Sequence, residues 1–276
     1  MAGASMKDIR LRIKSVSSTM QITKAMQLVA ASKLRRARER MEASQPFLQL
    51  ATASMNAAAA GMDGKGVYFT PKSARRLYIV VAGDRGLAGG YNANVFKLVA
   101  QHAGDAEFSV LPVGKKALER YGRVPGCAIS QEFGQAEAIT VGDAFRMAER
   151  VLEGYRAGEY GEVHLVYTRF DSMLTQTATV TALLPLSAPE KDSHQLLMEM
   201  EPETVLNSVL PNVVAGSIFS AVRASFASEQ AARRTAMDSA TKNAGEMIED
   251  LSLKYNRARQ GAITQELTEI VAGAEQ

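Results

Sequence analysis

The sequence predicts an α/β protein, with a mainly parallel sheet in mid-chain and N- and C-terminal helices that pair as a long antiparallel two-helix coiled coil. Three observations lead there. All eight prolines fall between Pro46 and Pro211, and because proline costs ~3 kcal/mol inside a helix, both ends are free to form long ones. Each end carries a stripe of apolar and small residues at alternating steps of four and three, the spacing that holds one helix face against a partner. Between the ends, short apolar runs alternate with helical patterns, which suits parallel strands covered by helices.

At the N-terminus the stripe runs through Ile9, Ile13, Val16, Met20, Thr23, Gln27, Ala30, Leu34, Ala37, Met41, Ser44 and Leu48. Gly3 is the only glycine in residues 1–60, so a helix is expected from about Lys7 to Ala58, on the order of 75 Å long at ~1.5 Å per residue. At the C-terminus the steps give Met237, Ala240, Ala244, Ile248, Leu251, Tyr255, Ala258 and Ala262, with the apolar face continuing through Leu267 and Ile270. Ile218, Phe219, Val222 and Phe226 extend it backward toward Pro211, and both Pro202 and Pro211 are compatible with the helix start. Alanine at many stripe positions, with Gly245 beside Ala244, lets two helices approach closely. Each long helix is the natural partner of the other, which gives expected domains of 1–60, 61–200 and 201–276.

In the middle, Leu77–Ala82, Phe108–Val113, Ala128–Phe133 and Val163–Thr168 read as strands, and Ala93–His102, Lys115–Tyr121 and Val141–Tyr155 as helices. The β-branched run before Pro185 reads as a final edge strand. Residues 51–66, rich in alanine, read as a helix end and linker.

The stretch YIVVAGDRGLAGGYN carries a strand into four glycines, Gly83, Gly86, Gly89 and Gly90. A dinucleotide loop needs glycines at i, i+2 and i+5, yet Arg85 occupies the second place; a P-loop would end in Gly-Lys-Ser/Thr, where this chain has Gly90, Tyr91 and Asn92. A tight strand-to-helix turn needing positive φ accounts for the glycines without a nucleotide, and Asp84 reads as an ion-pair or turn-stabilising residue. His102, His164 and His194 lie in separate elements without metal-ligand spacing, and Glu249 and Asp250 point to different sides of a helix. No nucleophile stands beside an evident base. An autonomous enzyme would show a fuller constellation, so no catalytic, cofactor or metal site is assigned.

Composition agrees with an ordinary folded protein: 46% hydrophobic, 22% charged, net charge +3. Cys127 is the only cysteine, which excludes an intrachain disulfide and a cysteine metal cage and suits a reducing compartment. Its expected role is a buried small side chain. No run approaches 18 apolar residues and the first residues lack a signal-peptide core, so the chain is expected neither to span a membrane nor to be exported. Charge is unevenly spread: residues 7–40 hold ten basic residues against Asp8 and Glu39, whereas beyond Gln260 there are glutamates and no basic residue. Residues 1–46 hold no aromatic residue to stack on bases, which favours a protein partner with acidic loops over nucleic acid.

The N-terminal KDIRLRIKSVSSTMQITKAMQLVAASKLRRA and the C-terminal SEQAARRTAMDSATKNAGEMIEDLSLKYNRARQGAITQELTEIVAGAE resemble the two ends of the gamma subunit of F-type ATP synthases, and DRGLAGGYN resembles the loop that opens that family's middle domain. The match follows nearly the whole chain in order. It implies a coiled coil inside a ring of three alpha and three beta subunits and a Rossmann-like domain outside it, toward an epsilon subunit and a membrane c-ring. It implies a noncatalytic rotor that couples proton flow to ATP synthesis or hydrolysis, and that the glycine loop is not a nucleotide site. Ala88 stands where the family often has cysteine, and the cysteine-bearing insertion of the chloroplast branch is missing. With no transit peptide seen, a bacterial form is expected, peripheral at the cytoplasmic face of the inner membrane, without direct insertion.

Carried over by motif, Met26 of TKAM and Arg259, Gln260, Thr264 and Glu266 of RARQGAITQE would lie against beta-subunit loops. Residue by residue, seam packing for Met26 and solvation or intrahelical pairing for the others remain open, as does the alternative of a nucleotide-dependent enzyme or nucleic-acid-binding module with a coiled-coil arm.

Overall fold

Among the described residues ten helices and strands form in the order set by the alternating pattern, the first and last of them helices. The computed structural model describes residues 6–62, 64–125, 127–129, 133–187 and 201–274. The elements are α1 Met6–Ala60, β1 Arg76–Val81, α2 Tyr91–Ala103, β2 Phe108–Val113, α3 Lys115–Tyr121, β3 Ala128–Ile129, a 3-10 turn Ala136–Ala138, α4 Val141–Ala157, β4 Glu162–Phe170, β5 Gln176–Leu184 and α5 Pro202–Ala274. By contact the chain divides into two units, residues 31–233 and residues 1–30 with 234–276, so each long helix contributes to both.

In the larger unit the five strands form one sheet in the order β3-β2-β1-β4-β5. The first four are parallel, and β5 joins the edge antiparallel to β4. β1 is central and buried along nearly its whole length, so it reads as continuous apolar sequence instead of alternating. Its alternate side chains serve different layers. Leu77, Ile79 and Val81 join α4, Ala58 of α1 and Leu206, Leu210, Val214, Ile218 and Val222 of α5. Tyr78 and Val80 pack with Val95, Val99 and Ala103 of α2 and with Ala117 and Tyr121 of α3. Each fully buried side chain of this size contributes ~1.5–3 kcal/mol. α4 starts in a capping box, the Thr140 hydroxyl accepting from the Asp143 N–H while the Asp143 carboxylate accepts from Thr140, and Gly158 ends it in the left-handed region at φ 78°.

The third expected strand is much shorter than Ala128–Phe133: two residues pair, Phe133 makes an isolated bridge to Val113, and residues 130–132 lie outside the described residues. The open question at the C-terminal helix is settled in favour of Pro202, with Pro211 inside α5; Pro46 is likewise inside α1. Side chains supply donors near both prolines, the Ser44 hydroxyl to Met41 O at 2.8 Å and the Asn212 amide to Ser208 O at 3.1 Å. One 18-residue window of α5 reaches a mean hydropathy of 1.6, long and apolar enough by composition to cross a membrane. The five α5 residues named above answer that apolarity by packing on the sheet.

In the smaller unit α1 and α5 pair through the predicted seam. Thr23 and Thr241 hydroxyls meet at 2.8 Å and the Gln27 amide donates to the Asp238 carboxylate at 2.9 Å, so advancing four residues on α1 retreats three on α5. That is an antiparallel register. Ala30 and Ala244 are buried and Ile9, Thr23 and Leu251 nearly so. In the larger unit the same seam continues where Leu34 and Ala37 pack with Ala227 and Ala231.

The seam predicts an outcome for a double-mutant cycle. Thr23→Val alone removes the interhelical partner of the Thr241 hydroxyl, which keeps its bond to Met237 O at 2.8 Å, and should cost up to ~1 kcal/mol, whereas adding Thr241→Val should cost less than the sum of the two single changes. Unfolding of the full chain followed by helical circular dichroism reads the difference. Equal losses that simply add would show that the two hydroxyls do not depend on each other.

Candidate partner-contact surface

Met26 sits one position before Gln27 and is half-buried, at the margin of the seam. Residues three and four apart on a helix share a face, so Met26 lines up with Ile22 and Val29, each 58% exposed. This second apolar stripe lies outside the seam that already accounts for α5. Sequence reasoning singled out Met26 alone, and the signal for its neighbours was legible: apolar residues off the 3.5-residue repeat have no intrachain partner to explain them. Around them α1 is basic, with every lysine and arginine of residues 7–40 exposed except Lys33, which is half-buried and paired with Glu137 at 2.7 Å.

On α5, Arg259, Gln260, Thr264 and Glu266 are all exposed. The helix brings them into two stripes. Gln260 and Thr264 share one, the Thr264 hydroxyl donating to Gln260 O at 2.9 Å. Arg259 and Glu266, seven apart, share the other, with Ile263 between them. Among the described residues, the side chains of Arg259, Gln260 and Glu266 make no hydrogen bond or ion pair, so their polar groups are available. Met26 belongs elsewhere: carried along the register, it faces residues near Asp238, about 30 Å of helix from the Arg259 group at ~1.5 Å per residue.

The same register puts Met6 opposite Ala258, and the consequence is visible in exposure. Leu267 and Ile270, expected to continue the seam, are 57% and 67% exposed, because the described part of α1 has no residue opposite them.

The glycine loop is held by hydrogen bonds from all sides. The Asp84 carboxylate accepts the backbone N–H groups of Lys115, Ala136 and Glu137, a turn-stabilising role. Asn92 accepts from Gly83 N at 2.9 Å and donates to Arg85 O at 3.3 Å. Arg233 donates to Gly86 O at 3.2 Å and pairs with the buried Glu229 at 2.6 Å. The expected need for positive φ holds at Gly89, with φ 57°, and also falls on Leu87, with φ 62°. Gly83 is required for a different reason: a Cβ there would come within 2.9 Å of the Glu229 carboxyl carbon. Burial pushes the Glu229 carboxyl above its usual range against the opposing pull of Arg233, and pushes the Tyr91 phenol far up where it bonds Ser225 at 2.7 Å.

Two histidines that sequence reasoning treated as scattered come together. His102 and His164 stack edge-on with ring centroids 4.7 Å apart, Tyr78 bonding His102 Nδ1 at 2.8 Å and Glu162 bonding His164 Nε2 at 2.9 Å. His102 comes from α2 and His164 from β4, where strand register sets it opposite Tyr78, and no sequence spacing reports the meeting. Among the described residues no group of three or more His, Cys, Asp or Glu could hold a metal; His194 lies outside them. Cys127 is half-buried and its thiol is pushed up by burial.

The two units hold a coiled coil with unlike outer faces and a five-stranded α/β sheet. A family model described as ATP synthase matches residues 5–276. The chain is 47% identical over 277 residues to the ATP synthase gamma chain of Ruminococcus albus, covering 97% of this chain and 96% of that one. It is 41% identical over 294 residues to the sodium-ion-specific ATP synthase gamma chain of Acetobacterium woodii, covering 98% and 97%. A central-stalk chain of the Tetrahymena thermophila mitochondrial ATP synthase superposes with TM-score 0.61 at 25% identity, covering 79% of this chain and 99% of that one. A chain of the Euglena gracilis enzyme shares the fold with TM-score 0.73 at 20% identity, covering 98% and 93%. The chain belongs to the ATP synthase gamma-chain family, whose members are subunits of that complex.

Glu229 offers a pH test of the buried ion pair. The folded carboxyl holds its proton more tightly than the unfolded one, so its contribution is full below the ordinary carboxylate range and is lost as pH rises through the higher folded value. The stability of Glu229→Gln relative to the unaltered chain should therefore improve as pH rises above the ordinary carboxylate range, read as urea midpoints. A difference that does not change with pH would show that the carboxylate is no worse solvated in the folded chain.

Proposed function

We propose that this chain is the rotor shaft of its ATP synthase, turning inside three alpha and three beta subunits and joined to an epsilon subunit and a membrane c-ring. The observation that carries this is the inequality of the coil's outer faces. The apolar stripe of Ile22, Met26 and Val29 and the polar stripes around Gln260 occupy different positions along and around the two helices. Three equivalent sites surrounding such a shaft meet three different surfaces, so each is biased toward a different conformation and rotation exchanges the three states. The chemistry then belongs to the ring, and this chain is not itself catalytic and binds no nucleotide cofactor, metal or nucleic acid.

In this reading residues 1–60 and 201–276 act as the shaft and residues 61–200 as the Rossmann-like body that links it to the membrane motor. The form is bacterial and the complex peripheral at the cytoplasmic face of the inner membrane, this chain making no direct insertion. The coupled ion is the proton. Because the Acetobacterium woodii relative is named as sodium-specific, ATP-driven transport measured in membranes with and without sodium tests that choice. Purification from native membranes tests the whole reading: co-elution with ring subunits in a large ATPase supports it, and a lone chain that binds ATP or RNA supports the enzyme or nucleic-acid alternative.

Met26→Lys places a cation at the margin of the seam, within reach of acidic ring loops. It should lower proton pumping per ATP hydrolysed more than it lowers assembly. Unaltered pumping relative to hydrolysis in such membranes would remove Met26 from the contact.

Arg259→Ala with Gln260→Ala should weaken ring association or slow ATP turnover while the sheet domain stays folded. Charged hydrogen bonds are worth ~1.5–3 kcal/mol, whereas removing a solvated surface side chain changes little. A double-mutant complex of normal composition, turnover and pumping would move the functional contact elsewhere on the shaft.

A further inference from the structure

Where α1, α4 and α5 meet inside the larger unit, a cleft of about 260 Å³ opens between Phe47, Val141, Phe145, Ala215, Gly216 and Phe219. Its walls are almost wholly apolar. Phe47, Val141 and Phe145 are 57%, 53% and 36% exposed, and Leu50, one turn beyond Phe47, is 71% exposed. Gly216 is what leaves the space open: a Cβ built there would lie 3.3 Å from Leu48 and 3.6 Å from the Phe47 ring. The cavity lies below the ~300–1,000 Å³ of typical small-molecule sites, and it lacks the few convergent polar groups that orient such ligands. Protein side chains suit it better.

The rim says what kind. The Arg223 guanidinium lies 4.5 Å over the Phe219 ring and donates to Ile139 O at 3.1 Å. Burial, and then the charge of Arg40, hold it below the usual arginine range. Arg40 itself lies one turn before the cleft residue Ser44 on α1. The Arg223 guanidinium, held over Phe219, thus stands at one end of an apolar cleft, with Arg40 one turn along α1 from its Ser44 wall. Nearby carboxylates are already engaged, Asp143 by Thr140 and Arg146, Glu42 by Arg38 and Glu137 by Lys33. Among the described residues neither Arg40 nor Arg223 has a carboxylate partner. Aromatic walls beside unpaired arginines are the composition of strong protein contacts.

We propose that this cleft seats an amphipathic helix of another subunit of the complex, which inserts large apolar side chains between Phe47, Phe145 and Phe219 and brings a carboxylate to Arg40 and Arg223. The mode is a helix laid in a groove, with apolar anchors on one face and the acid at its edge. The inference rests on the reading that the chain works inside a multisubunit ATP synthase, and it adds a seat distinct from the Met26 and Arg259 surfaces.

The test uses the assembled complex with p-benzoylphenylalanine in place of Phe145. Irradiation followed by mass spectrometry should yield a cross-link to an acid-bearing helical segment of another subunit. Arg40→Glu should reduce occupancy of that subunit at least tenfold on dilution, and replacing the partner's carboxylate by lysine should restore it. Gly216→Ala, which narrows the cleft while favouring the helix, should lower the same occupancy without unfolding the chain. A complete, active complex in which Phe145 cross-links to nothing, to lipid or to this chain itself overturns the proposal alone. A chain that purifies with no other subunit overturns both it and the reading on which it rests.

Discussion

The packing of α5 against the sheet is the constraint on which the rest depends. Leu206, Leu210, Val214, Ile218 and Val222, at four-residue intervals, form a wall of the main core. Beyond Arg233 the same helix turns to a seam of alanine, threonine and isoleucine against α1. A single uninterrupted helix therefore answers to two different partners, with a four-step pattern on the sheet and a four-and-three pattern on the coil.

That dependence extends to the glycine loop. Arg233 and Glu229 come from α5, and they hold Gly86 and exclude a side chain at Gly83. Ser225 and Ser228, also on α5, bond the backbone of Thr168 in β4. The loop's form follows from the helix beside it more than from its own four glycines. The glycine turn is also the place where α5 meets the sheet domain's loops.

Much of the architecture was legible in the sequence because its signals are local. A 3.5-residue repeat and the confinement of proline report two long helices, and apolar runs between turn residues report buried parallel strands. One reading stayed open and another failed where the deciding fact is nonlocal. Pro211 cannot be told from a helix start by composition, since its cost is overridden only when Leu210 and Val214 on either side are buried in the core. The continuation of the seam to Leu267 and Ile270 followed the pattern correctly, but the register set by Thr23 and Thr241 leaves nothing of the described α1 opposite them. The meeting of His102 with His164 depends on how α2 packs against β4, and the apolar cleft at Gly216 depends on three helices at once. The surface candidates Met26 and Arg259 to Glu266 came from resemblance; the structure adds their exposure and their grouping into stripes.

The seam itself is thinly apolar. Where many coiled coils would place leucine, this one has Thr23 against Thr241 and Gln27 against Asp238. Hydroxyl and amide pairs in a seam add little adhesion, but the Thr23–Thr241 and Gln27–Asp238 contacts form together in one alignment only, and displacing either helix by one turn breaks both. Leucine layers, by contrast, exchange partners at modest cost when shifted by a heptad. Polar pairs thus act as detents: under a twisting load the two strands resist sliding past one another before they resist separation, which is the mechanical property that a transmission element needs.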